Sequence, residues 1–380
     1  MKRFLLPLIV LAGMLQNGPL AGAQASRVVR QSTPIKKSTS ARKKVVRRPA
    51  APPKVDPTIG DNVDGEDLSI RRAAVDALGM QPGSVVVVDP NTGRVLTMVN
   101  QRLALKSGFI PCSTIKLVTA LAALSEHVVE RDTTIHLSRY ASFNLTNAIA
   151  HSNNPYFGVL GTRLGFDRVT RYAQMFGLGE KAGLDIDGEE PGIIPAAPPR
   201  AGGMGLMTAY GEGFQVTPLE LAGLVSAIAN NGTLYYLQYP RSADDIERLQ
   251  PKVKRTLDIP PNTIADLRMG MRGAVDYGTA TRANYDPTES IFGKTGTCTD
   301  FRAGSHMGWF GSYIEEGPRQ LVVVVMLTSP NKAVSGPVAS GVAGAFYRNL
   351  NAQRYFASVP TIARKSDLPE ITVTSPGGPR

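Results

Sequence analysis

With only two cysteines in 380 residues, the sequence cannot be a disulfide scaffold. Its 38 glycines and 28 prolines follow no fixed period and no segment recurs, which excludes collagen-like chains, solenoids and propellers. The histidines, His127, His136, His151 and His306, lack the spacing of metal ligands, and Gly202-Gly203-Met204-Gly205 is not followed by the Lys-Ser/Thr of a phosphate loop. Neither a metal nor another cofactor is expected. The apolar run from Phe4 to Leu15 is too short to span a bilayer.

Acidic residues are missing from the first part of the chain, since no Asp or Glu precedes Asp56. Twelve Lys and Arg lie before that point, and setting them aside leaves 30 basic residues against 31 acidic ones. The net charge of +11 is therefore a property of one end, and a nucleic-acid groove is not expected. Lys2 and Arg3, the apolar run, and Ala21-Gly22-Ala23 or Ala23-Gln24-Ala25 as cleavage sites read as an export signal over residues 1–25, the alternative being an uncleaved anchor, which places the chain in the periplasm or on the outer face of the inner membrane. Residues 26–65, rich in Lys, Arg, Ser, Thr, Ala and Pro, read as a disordered basic linker. That linker either lies on an anionic envelope polymer or membrane surface or serves as a solvated spacer. Residues 356–380 read as a flexible tail.

What remains, residues 66–355, is long enough for a substantial core, and 42% hydrophobic composition agrees. Helical spacing covers Glu66 to Leu78; strands are expected at Ser84 to Asp89 and Arg94 to Asn100, joined by Pro90-Asn91-Thr92-Gly93. Ser113 to Leu124 is a strongly apolar helix, and further helices are expected at 145–151, 156–164, 168–176, 218–230 and 262–275. Strands then follow at Ser290 to Cys298, Met307 to Ile314 and Gln320 to Thr328, and a helix at Val334 to Leu350. The expected fold is α/β (α+β): a five-stranded antiparallel sheet assembled from both ends of the chain, flanked by helices, with an inserted all-helical lobe.

Chemistry concentrates in short motifs. Ser113-Thr114-Ile115-Lys116 puts a hydroxyl and an amine three residues apart, hence on one helix face. In an apolar setting such an amine loses its charge and can activate the hydroxyl as a nucleophile; the plainer reading is a helix cap beside a surface lysine. Ser152-Asn153-Asn154 lies ahead of Pro155, where a hydroxyl can relay a proton and the Asn154 amide can orient a lysine, or where the residues simply cap a helix. In Lys294-Thr295-Gly296-Thr297, strand alternation sets Thr295 and Thr297 on one face and Lys294 on the other, an arrangement suited to a carboxylate ligand, and Gly296 lets a substrate backbone come close; the alternative is an exposed edge strand.

The three motifs in this order resemble those of the penicillin-binding protein transpeptidases, within the wider family of serine β-lactamases and D-alanyl-D-alanine peptidases. Segments such as GSVVVVDPNTGRVLTMVN, GLDIDGEEPG, AYGEGFQVTPLELAGLVSAIANNG and FGKTGT are similar to that family's in the same order, from about Glu66 to Leu350. The resemblance implies that Ser113 attacks a D-Ala-D-Ala stem peptide of peptidoglycan and that Lys116 takes its proton. It implies that Ser152, helped by Lys294, passes a proton to the leaving amine, and that Asn154 holds Lys116 and the substrate amide. Thr295 and Thr297 would bind the terminal carboxylate, and the N–H groups of Ser113 and Thr297 would form an oxyanion hole. An amine acceptor would give a cross-link, water a carboxypeptidase product, and β-lactam antibiotics would act as covalent inhibitors.

Cys112 stands where this family commonly has Gly, and Cys298 directly follows the third motif. The same places carry a bridged pair in the serine carbapenemases, so the resemblance implies a Cys112–Cys298 disulfide, as the even cysteine count of an exported chain favours; the alternative is two small buried residues. That pair makes a β-lactamase the natural rival, but no loop Glu-x-x-Asn supplying a hydrolytic base is found between Ser152 and Lys294. A non-catalytic β-lactam sensor or scaffold is disfavoured because every motif side chain is present.

Overall fold

The structure, a computed structural model, describes residues 56–356 apart from 107, 261, 317–318 and 331–333 and the side chain of Glu316. The expected export signal, the linker before Asp56 and the tail after Phe356 lie outside the described residues. No helix among the described residues is long and apolar enough to cross a membrane.

In chain order, α1 (Leu68–Leu78) and the hairpin β1 (Gly83–Val88) and β2 (Val95–Val99) lead to α2 (Gln101–Ala104). A 3-10 turn, Cys112–Ile115, runs straight into α3 (Lys116–Ser125). After it come β3 (Ile135–Ser138), β4 (Ala141–Phe143), α4 (Leu145–Ala150), α5 (Asn154–Leu164), α6 (Phe166–Met175), α7 (Gly203–Tyr210) and α8 (Pro218–Ala229). Then β5 (Thr233–Tyr235), α9 (Ala243–Arg248), β6 (Val253–Thr256) and α10 (Thr263–Asp276) precede the strands β7 (Ser290–Asp300), β8 (Ser305–Glu316) and β9 (Arg319–Ser329) and the final α11 (Gly336–Ala352).

The main sheet has five antiparallel strands in the order β2-β1-β9-β8-β7, so the first strands and the last meet at the β1–β9 pairing, as expected. Every residue of β1 is buried because both faces of the sheet are covered. Val85, Val87, Val323 and Val325 pack with Ile70 of α1 and Phe346 of α11. Val86, Val88, Val322 and Val324 face the other way, into the core they share with Leu221 and Leu224 of α8 and Leu117 and Leu121 of α3. Helices α3 and α8 are apolar all round for this reason: each is buried over nearly its whole surface. β7 is left as an edge, with one side against β8 and the other toward the helical residues.

The inserted lobe departs from the all-helical expectation. It carries two two-stranded antiparallel sheets, β3–β4 and β5–β6. These strands are three or four residues long and partly exposed, too short to print an alternating pattern, and β5 and β6 are far apart in sequence. Helix α7 was also hidden, because its glycine-rich start reads as a loop.

Ordered structure also reaches back past the expected boundary at Glu66. The Asp61 carboxylate accepts from Arg71 at 2.8 Å and from the backbone N–H groups of Asn100 and Gln101 at 2.9 and 2.8 Å. Glu66 itself accepts from Arg71, Thr97, the Met98 N–H and Tyr239, while Asp67 caps α1. Burying a charge requires partners of this kind, and such partners leave no periodic trace in the sequence.

Candidate active site

The motif residues converge. Ser113 sits in the 3-10 turn rather than in an α-helix, and in that geometry residues three apart eclipse one another. Lys116, the first residue of α3, therefore brings its Nζ within 2.8 Å of Ser113 Oγ. Ser152 lies in the bend between α4 and α5 with its backbone in the left-handed region, φ +54°. Asn153 caps α5 by accepting from Tyr156 N–H, which places Asn154 in the first turn. The bend thus aims three groups at one amine: Lys116 Nζ donates to Asn154 Oδ1 at 2.5 Å and Ser152 O at 2.9 Å, with Ser152 Oγ at 3.0 Å.

Lys294 reaches the same hydroxyl from the sheet. Its Nζ lies 2.9 Å from Ser152 Oγ and 3.0 Å from Thr295 O. Both lysines are fully enclosed. Burial, and then repulsion from Lys294, pulls the Lys116 amine down to about 6, and burial alone pulls Lys294 down to about 7. No carboxylate is among the hydrogen-bond partners of Ser113, Lys116, Ser152, Asn154 or Lys294 in the described residues.

On β7, alternation behaves as the sequence suggests. Lys294, Gly296 and Cys298 share the face toward the Ser113 turn. Cys298 is bonded to Cys112, with Cα atoms 5.5 Å apart. Cys112 is fully buried and holds φ +52°, a backbone state in which glycine is the least strained residue. At Gly296 the chain's own backbone comes close. A Cβ there would lie 3.0 Å from Pro111 O and 3.2 Å from Cys112 Cβ, so the glycine lets β7 press against the nucleophile turn.

Thr295 and Thr297 lie on the other face. Thr297 Oγ1 accepts the Gly336 N–H at 2.8 Å, which leaves its own O–H free to donate, and the residue is exposed. Thr295 is nearly enclosed and pairs with Thr279 Oγ1 at 2.6 Å.

Sequence reasoning missed two neighbours. Tyr210, at the end of α7, accepts from Asn154 Nδ2 at 2.8 Å and so fixes which way the Asn154 amide faces. Thr279 joins Thr295 to the Ser152 bend, because its N–H donates to Ala150 O. The signal for Tyr210 was its place in the AYGEGFQVTPLELA segment; Thr279 carried none.

Residues 83–348 match the model of the penicillin binding protein transpeptidase domain. The chain is 28% identical to stage V sporulation protein D of Bacillus subtilis, covering 70% of this chain and 45% of that protein. It is 26% identical to the peptidoglycan D,D-transpeptidase MrdA of Haemophilus influenzae, covering 80% and 58%. The chain thus spans about half the length of the curated relatives it matches. In fold it superposes on the transpeptidase domain of penicillin-binding protein 3 from Burkholderia pseudomallei with a TM-score of 0.65 at 21% identity, covering 78% of this chain and 98% of that one. On the strength of a family match that runs through all three motifs, the chain belongs to the penicillin-binding protein transpeptidase domain family.

Proposed function

We propose that this domain is an exported serine acyltransferase acting on D-Ala-D-Ala stem peptides of peptidoglycan, with the acyl group carried on Ser113. The observation that carries the reading is the hydrogen-bond count at Lys116. Asn154 Oδ1 and Ser152 O can only accept, so they take two N–H bonds from Nζ. A neutral amine has two such bonds to give; in that form its lone pair faces Ser113 Oγ, 2.8 Å away, and can draw the hydroxyl proton from the long 3.3 Å bond it makes to Ala209 O. Ser113 Oγ attacks the carbonyl of the penultimate D-alanine as its proton moves to Lys116. Lys116 returns that proton through Ser152 to the leaving nitrogen, with Lys294 donating to Ser152 Oγ, and the peptide C–N bond breaks to release D-alanine. The free O–H of the exposed Thr297 suits the terminal carboxylate, with Thr295, paired to Thr279, beside it on the same face of β7. The backbone N–H groups of Ser113 and Thr297 are assigned to the oxyanion. Attack by an amine then yields a cross-link, and attack by water a shortened stem peptide.

Benzylpenicillin tests this directly. Intact mass over hours is expected to show one long-lived adduct, absent in Ser113→Ala, because among the described residues no carboxylate is hydrogen-bonded to the centre to activate water. An adduct that forms and disappears while penicillin is consumed would make the protein a β-lactamase. No adduct at all would remove the acyl-enzyme reading.

A further inference from the structure

Ser152 and Lys294 meet at 2.9 Å, yet one comes from the bend between α4 and α5 and the other from the edge strand β7. Only β8 holds β7 along its length, so the roll of β7 about its own axis, which aims Lys294, is set by what its two faces grip. Ser152 stands at φ +54°, a backbone state that a residue other than glycine keeps only where its surroundings enforce it. Bend and strand therefore both need a hold.

Helix α10 supplies it. Its Leu267 and Met271 lie in the core shared with α3 and α8, and its Ala274 and Val275 in the core on the α11 side of the sheet, so the helix passes the open edge of β7 and packs against it. Gly270 lets α10 close on α4, since a Cβ there would lie 2.6 Å from Ile149 Cβ. Just past α10, the Tyr277 O–H donates to Asn147 Oδ1 at 3.1 Å, and the Tyr277 ring meets that of His151 with centroids 5.6 Å apart. Gly278 comes so near that a Cβ would collide with Ala150 O. Residues 277–279 thus grip the end of α4, immediately before the Ser152 bend.

Thr279 carries that grip over to the strand. Its N–H donates to Ala150 O at 3.1 Å, and its Oγ1 pairs with Thr295 Oγ1 at 2.6 Å. Thr295 follows Lys294 and lies on the opposite face of β7. One face grips Ser152 through Lys294 and the other grips Thr279 through Thr295, so β7 cannot roll without breaking one of the two bonds. A pair of hydroxyls carries no charge, and its hold does not change as the lysines titrate.

We infer that Thr279 is a positioning residue that sets the contact between Lys294 and Ser152, with its N–H on the α4 side and its hydroxyl on the β7 side. The inference rests on the acyl-transfer reading, in which Lys294 donates to Ser152 Oγ while the proton returns to the leaving nitrogen. Without the Thr279 hydroxyl, Thr295 is left enclosed with its partner gone, and Lys294 loses its aim.

The rate of benzylpenicillin acylation, followed by intact mass, tests this. Thr279→Val keeps the size of the side chain and removes the hydroxyl, and is expected to slow acylation about tenfold. Thr279→Ala removes the hydroxyl without a second branch and is expected to match it, so the result does not hang on how valine packs. Thr279→Ser keeps the hydroxyl and is expected to stay within about threefold of the parent. With Lys294→Met in place there is no contact left to set, so adding Thr279→Val is expected to change the residual rate by less than about twofold. Parent-like rates in both the Val and Ala variants, a Ser variant as slow as Ala, or a further tenfold loss in the Lys294→Met background overturns the assignment. If the unmodified protein takes up no penicillin, the acyl-transfer reading fails instead. The positioning is then read from a crystal structure of Thr279→Ala: Lys294 Nζ out of hydrogen-bond reach of Ser152 Oγ upholds it, and an unchanged contact overturns it.

Discussion

Lys116 and Lys294 converge on one hydroxyl, that of Ser152, from 3.0 and 2.9 Å. Two buried ammonium groups so close cannot both stay charged without an anion between them, so the pair titrates as a unit below the ordinary lysine range.

Acylation requires Lys116 neutral. The rate of benzylpenicillin acylation is therefore expected to fall about tenfold per pH unit on an acid limb near pH 6. Lys294→Met removes the repulsion that helps to strip the Lys116 proton, so the limb moves to higher pH while the maximal rate drops. Stopped-flow acylation from pH 5 to 9 reads both. A limb that stays in place, or moves to lower pH, means that Lys294 does not act on Lys116.

The disulfide joins the nucleophile turn to the strand that carries Lys294, across 186 residues. In the chain-entropy model closing such a loop contributes on the order of 5 kcal/mol at most. Cys112→Ser with Cys298→Ser is expected to lower the melting temperature and slow acylation, since a β-carbon at φ +52° is no longer held by the bridge. Cys112→Gly with Cys298→Ser loses the same bridge but relaxes the backbone, so it should acylate faster than the double serine variant. Equal rates in the two would show that the backbone state at residue 112 is indifferent to the side chain.

Glu220 ties the start of α8 to two loops. Its Oε1 accepts from Gly179 and Gly192 N–H at 2.8 and 3.0 Å, and its Oε2 from Thr217 N–H at 2.7 Å, within a capping box. In Glu220→Gln an NH2 group must face one of these donors, at a cost of about 1–3 kcal/mol. Burial raises the Glu220 carboxyl from 4.5 to about 7, so the native state holds the extra proton between those values. The stability this contributes is full below pH 4.5 and lost as pH rises through 7. The gap between parent and variant should thus narrow over that window in urea unfolding, and a gap that widens instead would remove Glu220 as the titrating group.

The sequence by itself determined the sheet and the order of the motifs, because both are written in local patterns. Alternating or continuous Val runs over 83–88 and 319–329 admit few conformations other than buried strands, and an apolar stretch after Ser113 admits little but a core helix. Spacing of three residues put Ser113 and Lys116 on one face, without deciding that they touch, and strand alternation parted Lys294 from Thr295. Only the tertiary structure decided the rest. Tyr210 lies 56 residues from the Asn154 it orients, and Thr279 lies 16 from Thr295, across a loop with no periodic trace. Gly296 is small because the Pro111–Cys112 backbone packs against it, a contact invisible until helix and sheet are docked. Local periodicity records which side of an element is buried; it does not record which distant element buries it, and that meeting places Lys116 and Lys294 around Ser152.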